Sequence, residues 1–438
     1  MRTSEYDRTL HYLFGLRTFG IHLGLEISQE LAEKVGNPQN QYPAIHLAGT
    51  NGKGSICALI ESVLRKKGLK TGLYTSPHLL EFNERIRVNG VPISDETIIK
   101  YAEFLKESVE SKGASFFEVT TIIALKYFAD MNVDIAIVET GLGARLDTTL
   151  LVNPSITGIT SISVDHSKYL GDTIEKIAKE KAFIMRKGIP CVVSMNTDAV
   201  MDVFVQHSEE SGTELIKASD ICSVSNINFK NDRLTLDAKI DDNLIKDISV
   251  PLMGTHQIEN VKTALTMLHR VPDITASKQE IRYGFKNVSA RGRMEIVSKD
   301  PLVIYDVAHN PNAVENLFNS LNKHFPTKNI VTLLALLKEK DYKEIIKGLF
   351  GKCTKLICSE IPGHDSISAA NLSEEGKKHG IDSVIIPELE NGIQIGLEAV
   401  DSDSLFIIFG SHYFAENVYN EFNLSLHKRD TTEIKALT

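Results

Sequence analysis

Between Ile45 and Ser55 the chain reads IHLAGTNGKGS, an apolar run that breaks into a glycine-rich turn holding one lysine. Ala44–Ala48 has the length and apolarity of a short buried strand. From Ser55 to Lys67 the residues Ile56, Leu59, Ile60, Val63 and Leu64 recur at helical spacing. Strand, glycine turn and helix in that order make a phosphate-binding layout. Gly49, Gly52 and Gly54 let backbone N–H groups approach phosphate oxygens, the helix N-terminus adds a favourable dipole, and Lys53 supplies a point charge. Thr50, Asn51 and Ser55 complete the candidate cradle. The generic G-x-x-x-x-G-K-[ST] pattern is not met: Leu47 stands where its first glycine belongs, and Gly54 separates Lys53 from Ser55. A plain glycine turn between a strand and a helix satisfies the same residues.

The rest of the chain is long enough to surround that loop with more than one core. At 438 residues, 42% hydrophobic and 24% charged, it has the composition of a globular protein of two or more domains. A net charge of −9 argues against general affinity for nucleic acid or anionic membrane, so an anionic ligand must meet local positive groups. The apolar runs are of strand length and MRTSEYDRTL has no apolar signal core, which points to the cytoplasm. Five cysteines without a C-x-x-C pair fit buried thiols better than a disulfide framework or a zinc site.

Taken in order, the spacing predicts helix and turns over residues 1–43, with a Gly-flanked apolar piece at Leu23-Gly24-Leu25-Glu26. Leu69–Thr75 reads as a second strand, making a parallel βαβ unit with the first. It ends at Ser76-Pro77-His78, where open α/β sheets bind ligands, although a turn-capping role for Ser76 is equally open. Glu81–Gly90 is polar, holds Arg85, and is expected to be a flexible flap over substrate. Asp134–Glu139 is an apolar strand ending in a carboxylate suited to Mg²⁺, with Asp147 in the turn beyond. Ile156–Val164 is read as a strand running into Asp165-His166. The next helix, from about Thr173 to Lys187, carries Lys181 inside its apolar stripe of Ile174, Ile177, Ala178, Ile184 and Met185. Burial there would favour the neutral amine, which can take up carbon dioxide as a carbamate; alternatively the stem packs and the ammonium reaches solvent. Ile189–Ser194 is another strand, alternation over Ile221–Val250 indicates antiparallel hairpins, and Thr255–Arg270 is a helix. Beyond Ser289–Met294 a fresh series of strands alternates with helices, at Leu302–Tyr305, Ile330–Leu336, Lys355–Cys358, Val384–Ile386 and Leu405–Phe409. The fold class expected is therefore α/β: a P-loop-type, mainly parallel ATPase domain with antiparallel edge hairpins over 1–290, a hinge at 291–297, a second Rossmann-like α/β domain over 298–425, and a polar tail at 426–438.

HLAGTNGKGS resembles the phosphate loop of folylpolyglutamate and dihydrofolate synthases of the Mur ligase superfamily. Further segments in the same order strengthen the resemblance: YLFGLRTFGIHLGLE, YTSPHLLEFNERIRVNG, ETGLGARLDTT, VDHSKYLGDTIEKIAKEKA, MGTHQIEN, ARGRME and YDVAHNPNA. The resemblance implies a pterin pocket near LGLE, Mg²⁺ ligation by Ser76, Glu139 and His166, a carbamylated Lys181, and ATP contacts from Asn260, Arg293 and Asp306. It further implies substrate contacts from Arg85, Asp147, His309 and Ser411, with Lys53, Lys181 and His166 acting in catalysis. Ser411 could equally cap a helix. Two magnesium ions and a potassium ion belong to the implied cofactors, and the working form implied is a monomer. Three positions depart from the family's habit: Ala144 and Phe183 replace glycine, and Leu150 replaces asparagine.

The reaction implied is ATP-dependent amide formation. A carboxylate is phosphorylated to an acyl phosphate, and the amine of L-glutamate displaces phosphate, so positioning and electrostatics rather than a nucleophilic triad carry the rate. Dihydropteroate or a reduced folate is the expected acceptor, with both activities in one chain. Other Mur-type amino-acid ligases, which act on nucleotide-linked muramyl peptides, are disfavoured because only about 45 residues precede the loop. The remaining alternative is an ATP-binding homologue without ligase activity, supported by the three departures alone.

Overall fold

The computed structural model describes residues 4–16, 24–230, 232–289 and 291–424. Leu23, in the predicted pterin-side segment, and the predicted tail at 426–438 lie outside the described residues. Two compact units emerge. The first takes the described residues through Asn228 together with Thr235–Pro251 and Gln257–Ser289; the second takes Phe229–Leu234, Leu252–His256 and the described residues from Arg291 onward.

The first unit is built on an eight-stranded sheet of β1 (Ala44–Ala48), β2 (Thr71–Tyr74), β3 (Ile86–Val88), β4 (Val91–Pro92), β5 (Ile135–Glu139), β6 (Pro154–Ile159), β7 (Cys191–Val193) and β8 (Leu215–Lys217). Its order is β4-β3-β2-β5-β1-β6-β7-β8. The six strands from β2 to β8 in that order run parallel, and β3 and β4 add an antiparallel edge. β1 and β5 are buried along their whole length, as parallel strands covered on both faces must be. β1 and β2 share the sheet as expected, but β5 is inserted between them. That insertion brings Glu139 level with Leu47, one residue before the end of β1.

The expected flap at Glu81–Gly90 is instead part of the sheet's framework. Phe82–Arg85 forms a 3-10 turn whose four residues are all buried, and β3 follows it directly. The Glu84 carboxylate accepts hydrogen bonds from the backbone N–H groups of Leu79, Leu80 and Glu81 at 2.8–3.0 Å, so the polar residues of this stretch satisfy the chain internally.

The helix Lys53–Lys66 buries the predicted stripe of Ile56, Leu59, Ile60, Val63 and Leu64. A second helix, Lys278–Lys286, packs on it so closely that a Cβ on Gly284 would lie 2.7 Å from the Val63 Cα, and the Gly284 carbonyl accepts from Ser62 Oγ at 2.8 Å. Gly284→Ala should therefore lower the unfolding free energy by about 1–3 kcal/mol, the usual cost of overpacking against backbone. Chemical denaturation checks this, and an unchanged midpoint would remove the close approach as a constraint. β9 (Cys222–Lys230), β10 (Arg233–Ile240) and β11 (Asn243–Val250) form a separate three-stranded sheet. Two-residue connections allow only antiparallel neighbours there, in line with the predicted hairpins.

The second unit carries a six-stranded sheet of β12 (Glu295–Lys299), β13 (Leu302–Asp306), β14 (Asn329–Leu334), β15 (Lys355–Cys358), β16 (Ser383–Ile385) and β17 (Ser404–Phe409) in the order β12-β13-β17-β14-β15-β16. All five predicted strands are present and parallel. β12, which pairs antiparallel with β13, begins inside the stretch expected to be a hinge. Residues in this stretch bond within the second unit: Gly292 N donates to Glu295 Oε2 at 2.9 Å, Val307 N to the Gly292 carbonyl at 3.0 Å, and Met294 N to Asp306 Oδ2 at 2.7 Å. Among the described residues no helix is long and apolar enough to cross a membrane.

Candidate active site

The glycine loop leaves β1 and enters the helix at Lys53. Gly49 has φ +141°, and a side chain on it would lie 2.9 Å from the Thr160 backbone nitrogen, so the position admits only glycine. Gly52, at φ +96°, faces Asn260, whose Cγ would stand 3.2 Å from a Cβ there. The Asn260 amide is turned by its donation to Gln257 Oε1 at 2.7 Å. Thr50 and Asn51 are stitched to the segment after β6: Thr50 N donates to the Ser161 carbonyl at 2.9 Å, Thr50 Oγ1 to the Ser163 carbonyl at 3.2 Å, and Asn51 Nδ2 to Ser163 Oγ at 3.2 Å. Sequence reasoning does not single out this second wall, because short serine and threonine runs have no distinctive spacing. Gly52 caps the helix without a side-chain acceptor, so the first-turn N–H groups near Ser55 face the loop's hollow.

Lys53, Glu139 and Ser76 meet at this loop. Lys53 Nζ donates to the carbonyls of Gly49 and Thr50 at 3.0 and 3.2 Å and lies 3.8 Å from Glu139 Oε1. Glu139 is buried at the end of β5, and its Oε2 accepts from Ser76 N at 3.2 Å. A Cβ on Gly54 would sit 3.4 Å from that same oxygen, so the glycine after the lysine leaves room beside the carboxylate. A serine hydroxyl and a carboxylate are hard oxygen donors, and Mg²⁺ takes one or two such groups and fills the rest of its shell with water and phosphate oxygens. The pair fits one Mg²⁺. Among the described residues no three His, Cys, Asp or Glu side chains are gathered as a metal cage.

Lys181 lies where its helical stripe predicts, 5% exposed on the helix Ile174–Ala182, and its Nζ donates to the Gly49 carbonyl at 2.9 Å. Burial, helped by the charge of Lys53, pushes its amine down to about 7, while Asp165, Asp147 and Glu139 pull the other way. Lys53 and Lys181 thus share one carbonyl acceptor. His166 differs from expectation. β6 ends at Ile159, and His166 stands well past it in a left-handed conformation (φ 52°), its side chain 45% exposed and Nε2 4.0 Å from Asp165 Oδ1. The neighbouring Asp165 is the more buried of the two and acts on Lys181. It stands in the same SVDH run, but an aspartate before a histidine has no signal of its own.

The loop after Glu139 is organised by Asp147. Its Oδ2 accepts from the N–H groups of Gly141 and Leu142 at 2.8 Å each, and its Oδ1 accepts from Thr149 N at 3.0 Å and from the Thr149 hydroxyl. Burial raises its carboxyl, and those four hydrogen bonds oppose the rise. Gly141 lies against the Phe117 ring, which a Cβ would overlap. The three departures are absorbed locally. Ala144 packs its methyl in the cluster of Ile177 and Ala178, the Leu150 carbonyl accepts from Arg186, and Phe183 packs edge-on to His207 with Arg145 over its ring.

Arg85 is 5% exposed rather than presented on a flap. Its Nε donates to His78 Nδ1 at 2.8 Å, and its guanidinium lies 5.3 Å from the centre of the Phe116 ring. Phe116 and His78 belong to one aromatic group with Phe14 and Phe82, with ring centroids 5.4–6.2 Å apart. This aromatic group, drawn from three distant stretches, is not legible in the sequence.

In the second unit the predicted residues cluster at the carboxyl ends of β13 and β17. Asp306 is buried and accepts from Met294 N and Ala308 N at 2.7 Å each; burial raises its carboxyl and the Arg293 charge draws it back. His309 Nδ1 lies 2.8 Å from the Val307 carbonyl, which can only accept, so Nδ1 carries the proton and Nε2 the acceptor lone pair in the neutral ring. Ser411 is buried, its carbonyl accepting from Tyr305 Oη at 2.9 Å and its Oγ from Tyr413 N at 3.2 Å.

Comparison with known proteins places this geometry. The description "Mur ligase middle domain" matches residues 47–268 and "Mur ligase, glutamate ligase domain" matches residues 292–412. The chain belongs to the Mur ligase family. Within it the chain falls among the folylpolyglutamate and dihydrofolate synthases. It is 33% identical over 432 residues to the dihydrofolate synthase/folylpolyglutamate synthase of Bacillus subtilis (strain 168), covering 95% of this chain and 98% of the relative. The Mycobacterium tuberculosis folylpolyglutamate synthase complexed with ADP superposes with a TM-score of 0.89 at 28% identity, covering 96% and 100% of the two chains. An Escherichia coli relative solved with DHPP and ADP gives a TM-score of 0.85 at 27% identity, covering 95% and 97%.

Proposed function

We propose that this protein is an ATP-dependent ligase that joins L-glutamate to the carboxylate of dihydropteroate and of reduced folates. The observation that carries the reading is the meeting of Lys53, Glu139 and Ser76 N at a glycine loop whose Gly49 carbonyl also receives the buried Lys181. The nucleotide-bearing relatives support ATP as the phosphoryl donor. A carboxylate does not react with an amine unaided, because its leaving group would be oxide. The loop N–H groups and Lys53 bind the β- and γ-phosphates and hold them in line with the acceptor carboxylate. Glu139 and Ser76 would hold Mg²⁺, which when bound would neutralise phosphate charge. The carboxylate oxygen attacks the γ-phosphorus, ADP leaves, and the glutamate amine then attacks the acyl carbon, losing a proton as phosphate departs. Asn260, Arg293 and Asp306 are assigned to ATP, Asp147 and His309 to substrate, Ser411 to glutamate, and the aromatic group around Arg85 to the flat heterocycle of the acceptor. A carbamate on Lys181 would add a carboxylate at the loop, and His166 would join it in a second metal site; a potassium ion completes the assignment carried over from the family.

Incubating the purified protein with MgATP and labelled L-glutamate, with dihydropteroate in one tube and tetrahydrofolate in another, tests this. Labelled product and ADP are expected in both. Product in one tube alone would reduce the assignment to a single activity, and product in neither despite ATP binding would overturn it.

A further inference from the structure

His46 sits at the middle of β1, wholly buried, with β5 on one side (paired with Val138) and β6 on the other (paired with Thr157). The other four residues of this strand are alanine, isoleucine or leucine, so an imidazole there is out of pattern. Its Nε2 lies 2.9 Å from Thr149 Oγ1. The Thr149 hydroxyl has one proton and donates it to Asp147 Oδ1, so the imidazole must donate to Thr149 through an Nε2–H. That choice leaves Nδ1 as a buried acceptor without a partner among the described residues. Burial, with the Arg186 charge, lowers the imidazole to about 3, so it is a neutral donor throughout the working pH range. A buried histidine held in one tautomer, with one nitrogen unsatisfied, is a poor choice for packing alone. What its proton reaches is the ordered loop: through Thr149 to Asp147, and through Asp147 to the N–H groups of Gly141 and Leu142, just beyond Glu139 and against the Phe117 ring.

We propose that His46 is a positioning residue for the acceptor substrate, acting through Thr149 on Asp147 and the Gly141–Leu142 backbone and not on the nucleotide. This rests on the ligase reading above and on the assignment of Asp147 to substrate within it. Thr148, next in the same turn, exchanges a hydrogen bond with Ser28 at 2.9 Å, and Ser28 Oγ also donates to Glu118 Oε1 at 3.2 Å, so the turn is held from its other side as well. His46 therefore sets the loop's position without being needed to form the turn.

The test is steady-state kinetics on the intact protein with the acceptor that the wild type uses. His46→Leu is expected to raise KM for the acceptor about tenfold, the worth of one buried hydrogen bond, while kcat and KM for ATP stay within about twofold. His46→Gln, whose amide can donate to Thr149, should recover most of that loss. Thr149→Val should reproduce it, and carries the test if His46→Leu does not fold, since it leaves β1 untouched. Equal rises in both KM values, or a glutamine variant as impaired as the leucine variant, would overturn the proposal. If the wild type incorporates no glutamate at all, the ligase reading fails separately and amide hydrogen exchange decides this one. Exchange at Gly141 and Leu142 should quicken about tenfold in His46→Leu with Thr50 and Asn51 unaffected, and unchanged protection would count against it.

Discussion

Replacing Lys181 with methionine should abolish glutamate incorporation and at the same time make the protein more stable. The side chain is 5% exposed, and its amine, ordinarily near 10.5, is pushed down to about 7 by burial first and by Lys53 second. Above pH ~10.5 the amine is neutral in both folded and unfolded chains and contributes nothing. As pH falls, the unfolded chain takes up the proton and the folded one does not until about pH 7, so stability is lost across that window and stays constant below it. The ceiling on the loss is about 5 kcal/mol at pH 7 and below. Methionine removes it while keeping the volume. Denaturation of both proteins at pH 7 and pH 9.5 should show a methionine variant that is the more stable at pH 7, with a smaller advantage at pH 9.5. An advantage independent of pH would mean that the amine is not held neutral.

Activity should move the opposite way. The neutral amine is the form that adds to carbon dioxide, losing a proton to give a carbamate anion, and neither methionine nor alanine can do so. Lys181→Ala should lower kcat about 10³-fold, and added acetate should restore part of it by placing a carboxylate in the vacated space. Full activity of the alanine variant without acetate would sink the carbamate assignment.

Glu139→Gln is the second large effect. The amide keeps the shape and can still meet Ser76 N, but it removes the charge that faces Lys53 at 3.8 Å and that would hold Mg²⁺. We expect kcat to fall about 10³-fold and the Mg²⁺ concentration for half-maximal rate to rise at least about tenfold, with the melting temperature little changed. Ser76→Ala should show the same Mg²⁺ shift with a smaller loss of rate. Activity within about tenfold of wild type and an unaltered Mg²⁺ titration would remove Glu139 from the metal site.

Much of this site is legible before any fold. The Gly49–Ser55 loop, the stripe that buries Lys181, the apolar strand ending at Glu139 and the strand series after Leu302 all follow from periodicity and from glycine's freedom at positive φ, which are local properties. Arg85 misleads because a polar run such as EFNERIRVNG reads as exposed unless its acceptors are known, and here Glu84 and His78 are those acceptors. The end of β6 is misplaced in the sequence reading because apolarity runs on toward Val164, whereas pairing with β1 and β7 stops at Ile159. β12 escapes notice because a short edge strand next to a glycine and two arginines has too few residues for alternation to show.

Preferences that act within a dozen residues are enough to make a strand deliver a glycine loop and one lysine to a helix N-terminus. Long-range packing is what inserts β5 between β1 and β2, so that Glu139 faces Lys53, brings Lys181 back to the Gly49 carbonyl, and joins His46 to Thr149 across 103 positions of chain. Neighbours in a parallel sheet are chosen by crossover connections and by packing on both faces, and neither leaves a mark in the spacing of any one strand.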